Sequence, residues 1–312
     1  MRGERRNEGK PTVTTLLTSS EMRAWQTCPR GWWLRYYRRL RRTHEYASLP
    51  SIGSLVHAGL EPYYRGEVLD PPQFIRAELD ALIAQNPELA DLILKDGELA
   101  VIMLEGYMEE VERSGMDADY EYVGAEVAVE HHVGPYVLRG KLDARLRRLS
   151  DGALLQLEHK TVASFPDLIK TAQSNPQFLT YDLLAYLTKP DGAATDGVLL
   201  NMLRRVKRTA RANPPFYHRH EVRHNLDELR AHYRHVVAIG DQITAVRKAL
   251  DSGVDHHDVT PPAIGKEHGW ENGGCPCKDI TPMIDDGGDV EGYLAEWYET
   301  YDPDARYKEE LK

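Results

Sequence analysis

Between Leu138 and Lys160 the chain alternates apolar and polar residues twice, once on each side of a turn at Ser150-Asp151-Gly152. Leu138, Leu142, Ala144 and Leu146 face one way, while Arg139, Lys141, Asp143, Arg145 and Arg147 face the other. Beyond the turn, Ala153, Leu155 and Leu157 oppose Gln156, Glu158 and Lys160. A period of two marks a half-buried strand, and the turn residues join the pair as a hairpin. If Leu149 to Gly152 form a four-residue loop, Arg148 pairs with Ala153 and Asp143 lands opposite Glu158. A slip of one residue would set polar side chains against apolar ones on every rung, which a half-buried sheet resists. Paired Cβ atoms lie ~5 Å apart, so the two carboxylates can share one cation. Lys160, two residues on, projects from the same face.

The first third of the chain reads as helical. Thr18 with Glu21 has the spacing of a capping box and opens a helix expected to reach about Arg42. A second helix begins near Gly53 and carries His57. Asp70-Pro71 is an N-cap with proline at the first helical position, starting a helical stretch that runs, with breaks, to about Arg113. A weakly alternating strand near Tyr122 to Glu130 precedes the hairpin, and further strands are expected near Val198 to Val206 and Phe216 to Val222. Asn175-Pro176 opens a helix with Gln177 and Tyr181 one turn apart on one face. Asn225 and Glu228 cap a long helix to about Leu250, and a last helix is expected near Val290 to Tyr298.

At 312 residues, 41% hydrophobic and 28% charged, the chain can bury a large core as a soluble globular protein. The polar, arginine-bearing N-terminus has no apolar stretch behind it, so no secretory signal is expected. No run approaches the ~18 apolar residues of a membrane span. Three cysteines, Cys28, Cys275 and Cys277, argue against a disulfide framework and for a reducing cytoplasm. The net charge of −10 does not exclude a nucleic-acid partner, because binding depends on local patches. Arg30, Arg35, Arg38, Arg39, Arg41 and Arg42, interleaved with Trp32, Trp33, Tyr36 and Tyr37, form one patch. Arg204, Arg205, Lys207, Arg208 and Arg211 form another. Either is a solvated face or a surface that tracks phosphates, and Arg35, Arg38, Arg39, Arg204 and Arg205 are the candidate DNA contacts.

The chemistry converges on four clusters: Gly53-x-x-x-His57, Gly140-x-x-Asp143, Glu158-His159-Lys160 and Gln177-x-x-x-Tyr181. Two carboxylates on adjacent strands suit Mg²⁺ or Mn²⁺, with His57 and the His159 carbonyl as further ligands. Such a cation polarises a phosphoryl oxygen and activates water, and Lys160 would position that water and offset charge on phosphorus. Read singly, each cluster has an ordinary alternative: a salt-bridge ladder, a histidine of an amphipathic helix, a plain helix face. His218, His220, His224, His232 and His235 lack the spacing of a zinc site and are expected to face solvent.

In this order the clusters resemble the PD-(D/E)XK nuclease superfamily, in its RecB-like branch, which includes CRISPR-adaptation exonucleases and phage-encoded relatives. The resemblance covers roughly residues 18 to 281. The family's Ser-to-Cys-Pro opening matches Ser20 and Cys28-Pro29 with one additional residue between them. Its helix histidine matches His57, its aspartate Asp143, its E-x-K Glu158 and Lys160, and its Q-x-x-x-Y Gln177 and Tyr181. The resemblance implies an α/β fold with a restriction-endonuclease-like core, a central mixed sheet flanked by helices, and a helical N-terminal part. It also implies Mg²⁺- or Mn²⁺-dependent cleavage of DNA, often from a free end, with Gln177 and Tyr181 supporting the site and meeting the strand. Many members of the branch hold a [4Fe–4S] cluster on four cysteines. Here Cys28, Cys275 and Cys277 have no fourth cysteine, Thr281 stands where one would close the set, and His268 is the alternative ligand; no cluster is expected.

The organisation expected is a flexible tail over 1–17 and a single nuclease domain over 18–312. That domain divides into a helical part (18–115), a catalytic sheet core (120–225), and a C-terminal helical cover with the cysteine-bearing tail (226–312). The function expected is metal-dependent DNA hydrolysis, exonucleolytic, in recombination, repair or phage DNA metabolism. An endonuclease of the same fold, a catalytically idle DNA-binding or assembly subunit, and an RNA-processing factor are the alternatives.

Overall fold

The computed structural model describes residues 15–43, 49–188, 196–263 and 280–305, with the backbone alone for 125–128. His268, Cys275 and Cys277 lie outside the described residues. The hairpin is the spine of the sheet. Strand β4 (Tyr136–Arg148) pairs along one whole edge with β3 (Tyr120–Val133), and its C-terminal half pairs antiparallel with β5 (Leu154–Val162). Ala144 faces Leu157 and Leu146 faces Leu155, and the Arg148 amide donates to the Ala153 carbonyl at 2.8 Å. This is the register that the four-residue turn requires.

The second edge of β4 is divided. Strand β1 (Thr15–Thr18) runs parallel to Tyr136–Arg139, while β5 takes the residues from Ala144 onward. Residues Gly140 to Asp143 therefore stand in a fork between β1 and β5. Thr15 to Leu17, assigned to the tail from sequence, belong to this strand, and Leu17 is fully buried. The strand was missed because four residues that end at a helix cap are too few to establish a period.

Beyond β5 the sheet continues with β6 (Gly197–Arg204), parallel to β5, and β7 (Tyr217–Val222), antiparallel to β6, making six strands among the described residues. Strand β6 is covered on both faces, which accounts for an apolar run broken only at Asn201. Val198, Leu200 and Met202 enter a core with α6 (Phe165–Ala172), α7 (Pro176–Leu187) and α8 (Leu226–Asp251). Leu203 enters a second core with α3 (Ile52–Tyr64), α4 (Pro71–Gln85) and α5 (Ala90–Ser114). The mixed sheet is thus flanked by helices as the sequence implied.

Strand β4 departs from the simple alternation. Leu138 and Leu142 join the α7–α8 core, whereas Ala144 and Leu146 pack with Leu155, Leu157 and Leu199 in a separate cluster. The strand turns its apolar side over between Leu142 and Ala144, where Asp143 stands. Gly140 permits the approach of α7, since a Cβ there would lie 2.8 Å from Leu184 Cδ1.

The first helix is shorter than expected. Helix α1 (Ser19–Thr27) stops at Cys28, whose extended backbone (φ −158°, ψ 104°) is what a following proline favours. Pro29 then opens α2 (Pro29–Trp32), which runs into a π-helical turn (Trp33–Tyr37). The Glu21 amide donates to Thr18 Oγ1, but the Glu21 carboxylate is buried and takes Trp32 Nε1 at 2.9 Å and Arg247 at 2.5 Å. After Arg39, at φ 54°, β2 (Leu40–Arg42) pairs with β8 (Tyr298–Thr300).

This arrangement gives the first arginine patch partners within the chain. Arg30 pairs with Asp285, Arg38 clamps Glu291 through both guanidinium nitrogens at 2.9 Å, and Arg41 meets Glu299. Arg35 donates to Tyr301 Oη at 3.0 Å. Arg35 and Arg38, expected to contact DNA, have partners in the acidic C-terminal segment with α10 (Thr281–Asp286) and α11 (Val290–Trp297). Arg39 is exposed. No helix of the described residues is long and apolar enough to cross a membrane.

Two of the five histidines expected in solvent are interior. The His224 side chain is fully buried between Asp182 and the Gln173 carbonyl. His232 of α8 lies 2.9 Å from Thr180 Oγ1. Thr180 gives its own proton to the Pro176 carbonyl, so His232 Nε2 is the donor. Burial, followed by the nearby His235 and His224, pushes its pKa down to about 4 from 6.5. A neutral ring contributes stability above the unfolded value, and that contribution falls as pH drops from 6.5 towards 4. Urea denaturation between pH 7 and pH 4 should therefore find His232→Gln less acid-sensitive than wild type by roughly 3 kcal/mol. Identical pH dependence would mean that His232 titrates normally.

Candidate active site

The fork in β4 is closed by a side chain. Asp143 Oδ2 accepts from the His159 amide at 2.8 Å, so the β5 group that would extend the ladder is taken by a carboxylate. The β4–β5 pairing stops one rung before Asp143 and Glu158. His57 reaches the same oxygen from α3, with Nδ1 at 3.3 Å. One turn earlier, Gly53 lets that helix approach β5; a Cβ there would stand 3.3 Å from Thr161 Oγ1.

Glu158 is held from α7. Asn175 caps this helix by accepting from the Gln177 amide, which fixes the first turn over the end of β5. The Gln177 side chain then satisfies three groups at once. Its Oε1 accepts from Lys160 Nζ at 3.0 Å, while Nε2 donates to Glu158 Oε1 at 2.9 Å and to Tyr181 Oη at 2.8 Å. A carboxylate at 177 could not donate, so the amide is required. Lys160 Nζ also lies 2.5 Å from Glu158 Oε1. Tyr181 is buried and acts on Gln177 from within the core.

Burial and the charge of Asp143 push the Glu158 carboxyl above the usual range, against the pull of Lys160. Burial would raise Asp143 as well, but His57 and the His159 amide hold it below the ordinary value. Two carboxylates this close resist joint ionisation without a cation. The residues present fit one. Glu158 Oε2 is buried and has no hydrogen-bond partner, an arrangement that costs stability unless something occupies the lone pair. Carboxylate oxygens with one imidazole form a donor set for Mg²⁺ or Mn²⁺.

The His159 side chain plays a different part from its backbone. It lies on the α3–α5 side of the sheet, where Nδ1 accepts from Asn201 Nδ2 at 2.9 Å. The Asn201 orientation follows from its other bonds, a donation to Tyr107 Oη and an acceptance from Arg219. His159 is therefore a neutral ring, consistent with burial pushing its pKa down to about 3. Arg219 continues the network to the Met116 carbonyl, Tyr64, Tyr107 and Asp117. Sequence reading missed Tyr64, Tyr107, Asp117, Asn201 and Arg219, since each is an ordinary polar residue and the bonds from Arg219 and Asn201 to the other three cross about ninety or more positions. The one available signal was Asn201, a lone polar residue within the apolar run of β6.

The remaining expected residues lie apart. Arg204 and Arg205 stand at the carboxyl end of β6, where the Arg205 amide donates to the Val162 carbonyl at 2.8 Å. The Cys28 thiol is buried and caps α2 by accepting from the Gly31 amide. A rival donor cluster, Asp255, His256 and His257, brings its ligand atoms within 4.8 Å of one another. Both ring nitrogens of His257 are already engaged, by Asp255 Oδ1 at 2.8 Å and the Ile284 carbonyl at 3.2 Å. His256 is stacked between Trp33 and His257, with ring centroids 4.1 Å from each. This trio serves to pack the C-terminal segment.

Residues 17–279 match the PD-(D/E)XK nuclease superfamily. The chain is similar in structure to a candidate exonuclease of Eubacterium rectale, with a TM-score of 0.48, 12% identity, and coverage of 90% of this chain and 94% of that one. It is also similar to the crystal structure named SSO0001, with a TM-score of 0.31, 17% identity, and coverage of 75% and 85%. No curated protein matches the chain.

The network behind His159 makes a sharp forecast. Asp117→Ala leaves the buried Arg219 guanidinium without its carboxylate and should cost about 3–5 kcal/mol in thermal or urea denaturation. Adding Arg219→Met should restore part of that loss. An Asp117→Ala protein as stable as wild type would mean that the network does not hold the β5–β7 region.

Proposed function

The chain belongs to the PD-(D/E)XK nuclease superfamily, and on that premise we propose that it hydrolyses DNA phosphodiester bonds with Mg²⁺ or Mn²⁺, working from a free end. The observation that carries this reading is Glu158: one oxygen is fixed by Lys160 and Gln177, and the other is buried without a partner. A cation bound there supplies Lewis-acid activation of the phosphoryl group and of water.

The roles of the chain's own residues follow from the contacts. Asp143 and Glu158 are the anionic ligands, with His57 and the His159 carbonyl completing the donor set. Lys160 orients the attacking water and offsets charge that develops at phosphorus. Gln177 fixes both the Lys160 amine and the Glu158 carboxylate, and Tyr181 positions Gln177. Arg204 and Arg205, with the exposed Arg39, are the candidate phosphate contacts. The biological setting that suits such an enzyme is the processing of DNA ends in recombination, repair or phage DNA metabolism.

Incubation of end-labelled linear DNA and circular DNA with Mg²⁺ or Mn²⁺ tests the activity, with EDTA as control. Linear DNA should shorten progressively and circular DNA persist. Asp143→Ala, Glu158→Ala and Lys160→Ala should each lower cleavage by roughly 10²–10³-fold or more. The two acid variants should also lose Mn²⁺ binding in calorimetry, and Lys160→Ala should keep it. Full activity of Glu158→Ala would sink the assignment; rapid nicking of circles would make the enzyme an endonuclease.

A further inference from the structure

A groove of about 640 Å³ opens outside the carboxyl ends of the parallel strands β5 and β6. Ser164, Phe165 and Ile169 line it on one side, and Arg204, Arg205 and His218 on the other. Open α/β sheets take ligands at this end of parallel strands. The groove is on the catalytic face of the sheet. Lys160, Met202 and His218 share one rung across β5, β6 and β7, so their side chains leave the same face. Two strand spacings put His218 about 10 Å from Lys160, roughly the reach of one or two nucleotides.

The lining has two kinds of chemistry. The rings of Phe165 and His218 meet at 5.7 Å, tilted by 39°, above an apolar floor that includes Pro166, Ile169 and Pro215. Against this stand two cations. The Arg204 guanidinium lies 5.3 Å from the Phe216 ring centroid, and Arg205 is exposed with no ion-pair partner among the described residues. Among the described residues no carboxylate lines the groove, in a chain whose net charge is −10. A duplex passing here would engage the arginines but keep its bases paired, away from the rings and the floor. Unpaired nucleotides use both, bases against the apolar surface and phosphates against the arginines. The volume suits a ligand of one to two nucleotides, within the usual size of small-ligand clefts.

We infer that this groove seats one or two unpaired nucleotides of the substrate strand beside the scissile phosphate, making DNA with a single-stranded end the substrate class. The inference rests on the nuclease reading above. It is tested by fluorescence anisotropy in EDTA, where nothing is cut, with a labelled single-stranded oligonucleotide and a blunt duplex of the same length. Wild type should bind the single strand at least tenfold more tightly. Arg204→Ala/Arg205→Ala should weaken single-strand binding and reduce the slope of log K against log salt by about 1.4, two contacts at ~0.7 each. His218→Ala, which removes an exposed ring, should weaken single-strand binding roughly fivefold or more with the slope unchanged. Circular dichroism confirms folding, and Arg205→Ala alone serves if the double variant unfolds.

Equal affinity for the two DNAs, or wild-type single-strand binding by the arginine and His218 variants, overturns the groove. A parallel Mn²⁺ cleavage assay keeps the two ideas apart. Wild type that cuts DNA while the variants bind normally leaves the nuclease reading standing without the groove. Wild type that never cuts, yet binds single strands through Arg205 and His218, leaves the groove without the nuclease.

Discussion

The bond from the His159 amide to the Asp143 carboxylate organises the site. A main-chain donor that would otherwise extend the ladder is consumed by a side chain, so β4 and β5 part at that rung. Parting frees the second edge of β4 for β1 and leaves Gly140 to Asp143 without a strand neighbour there. Two layers of helix meet at the opening: α3 brings His57 to Asp143, and α7 brings Gln177 to Glu158. The glycines at 53 and 140 are there for that approach, since a Cβ at either would press on Thr161 or on Leu184.

The hairpin was legible because its information is local. Alternation and turn length fix the register, and that register, carried one rung past Ala144 and Leu157, sets Asp143 opposite Glu158. The polar cluster of His57, Lys160, Gln177 and Tyr181 was legible through its order along the chain and the family resemblance that order carries. What could not be read depends on tertiary partners. Leu138 and Ala144 have the same parity in sequence, yet the coiling of β4 sends them into different cores. His224 and His232 sit among polar residues but are buried by α7, whose Asp182 and Thr180 receive them. The network ties Arg219 and Asn201, partners on β7 and β6, to Tyr107 about a hundred positions earlier, and no spacing rule reaches that far.

The arginines between 30 and 42 have a structural part that a charge run does not reveal. Interleaved aromatics suggested a phosphate-tracking surface, but the aromatics pack inward and the arginines meet Asp285, Glu291 and Glu299. The C-terminal segment is acidic where the N-terminal segment is basic, and a two-stranded sheet, β2 with β8, fixes their register. The exposed Arg41–Glu299 pair contributes little, whereas Arg30 is buried against Asp285, and the strands and the packing of Trp33 and Ile284 hold the segment with it. The patch near Arg204 differs: Arg205 is exposed at the end of the catalytic sheet, with no described ion-pair partner.

The central claim is that the parted strands hold a divalent cation between Asp143 and Glu158. Anomalous diffraction at the manganese edge, from crystals soaked in MnCl₂, measures this directly. A peak within bonding distance of both carboxylates, roughly 2.0–2.3 Å, is the predicted result. An empty fork, with the peak at Asp255, His256 and His257 instead, would contradict it.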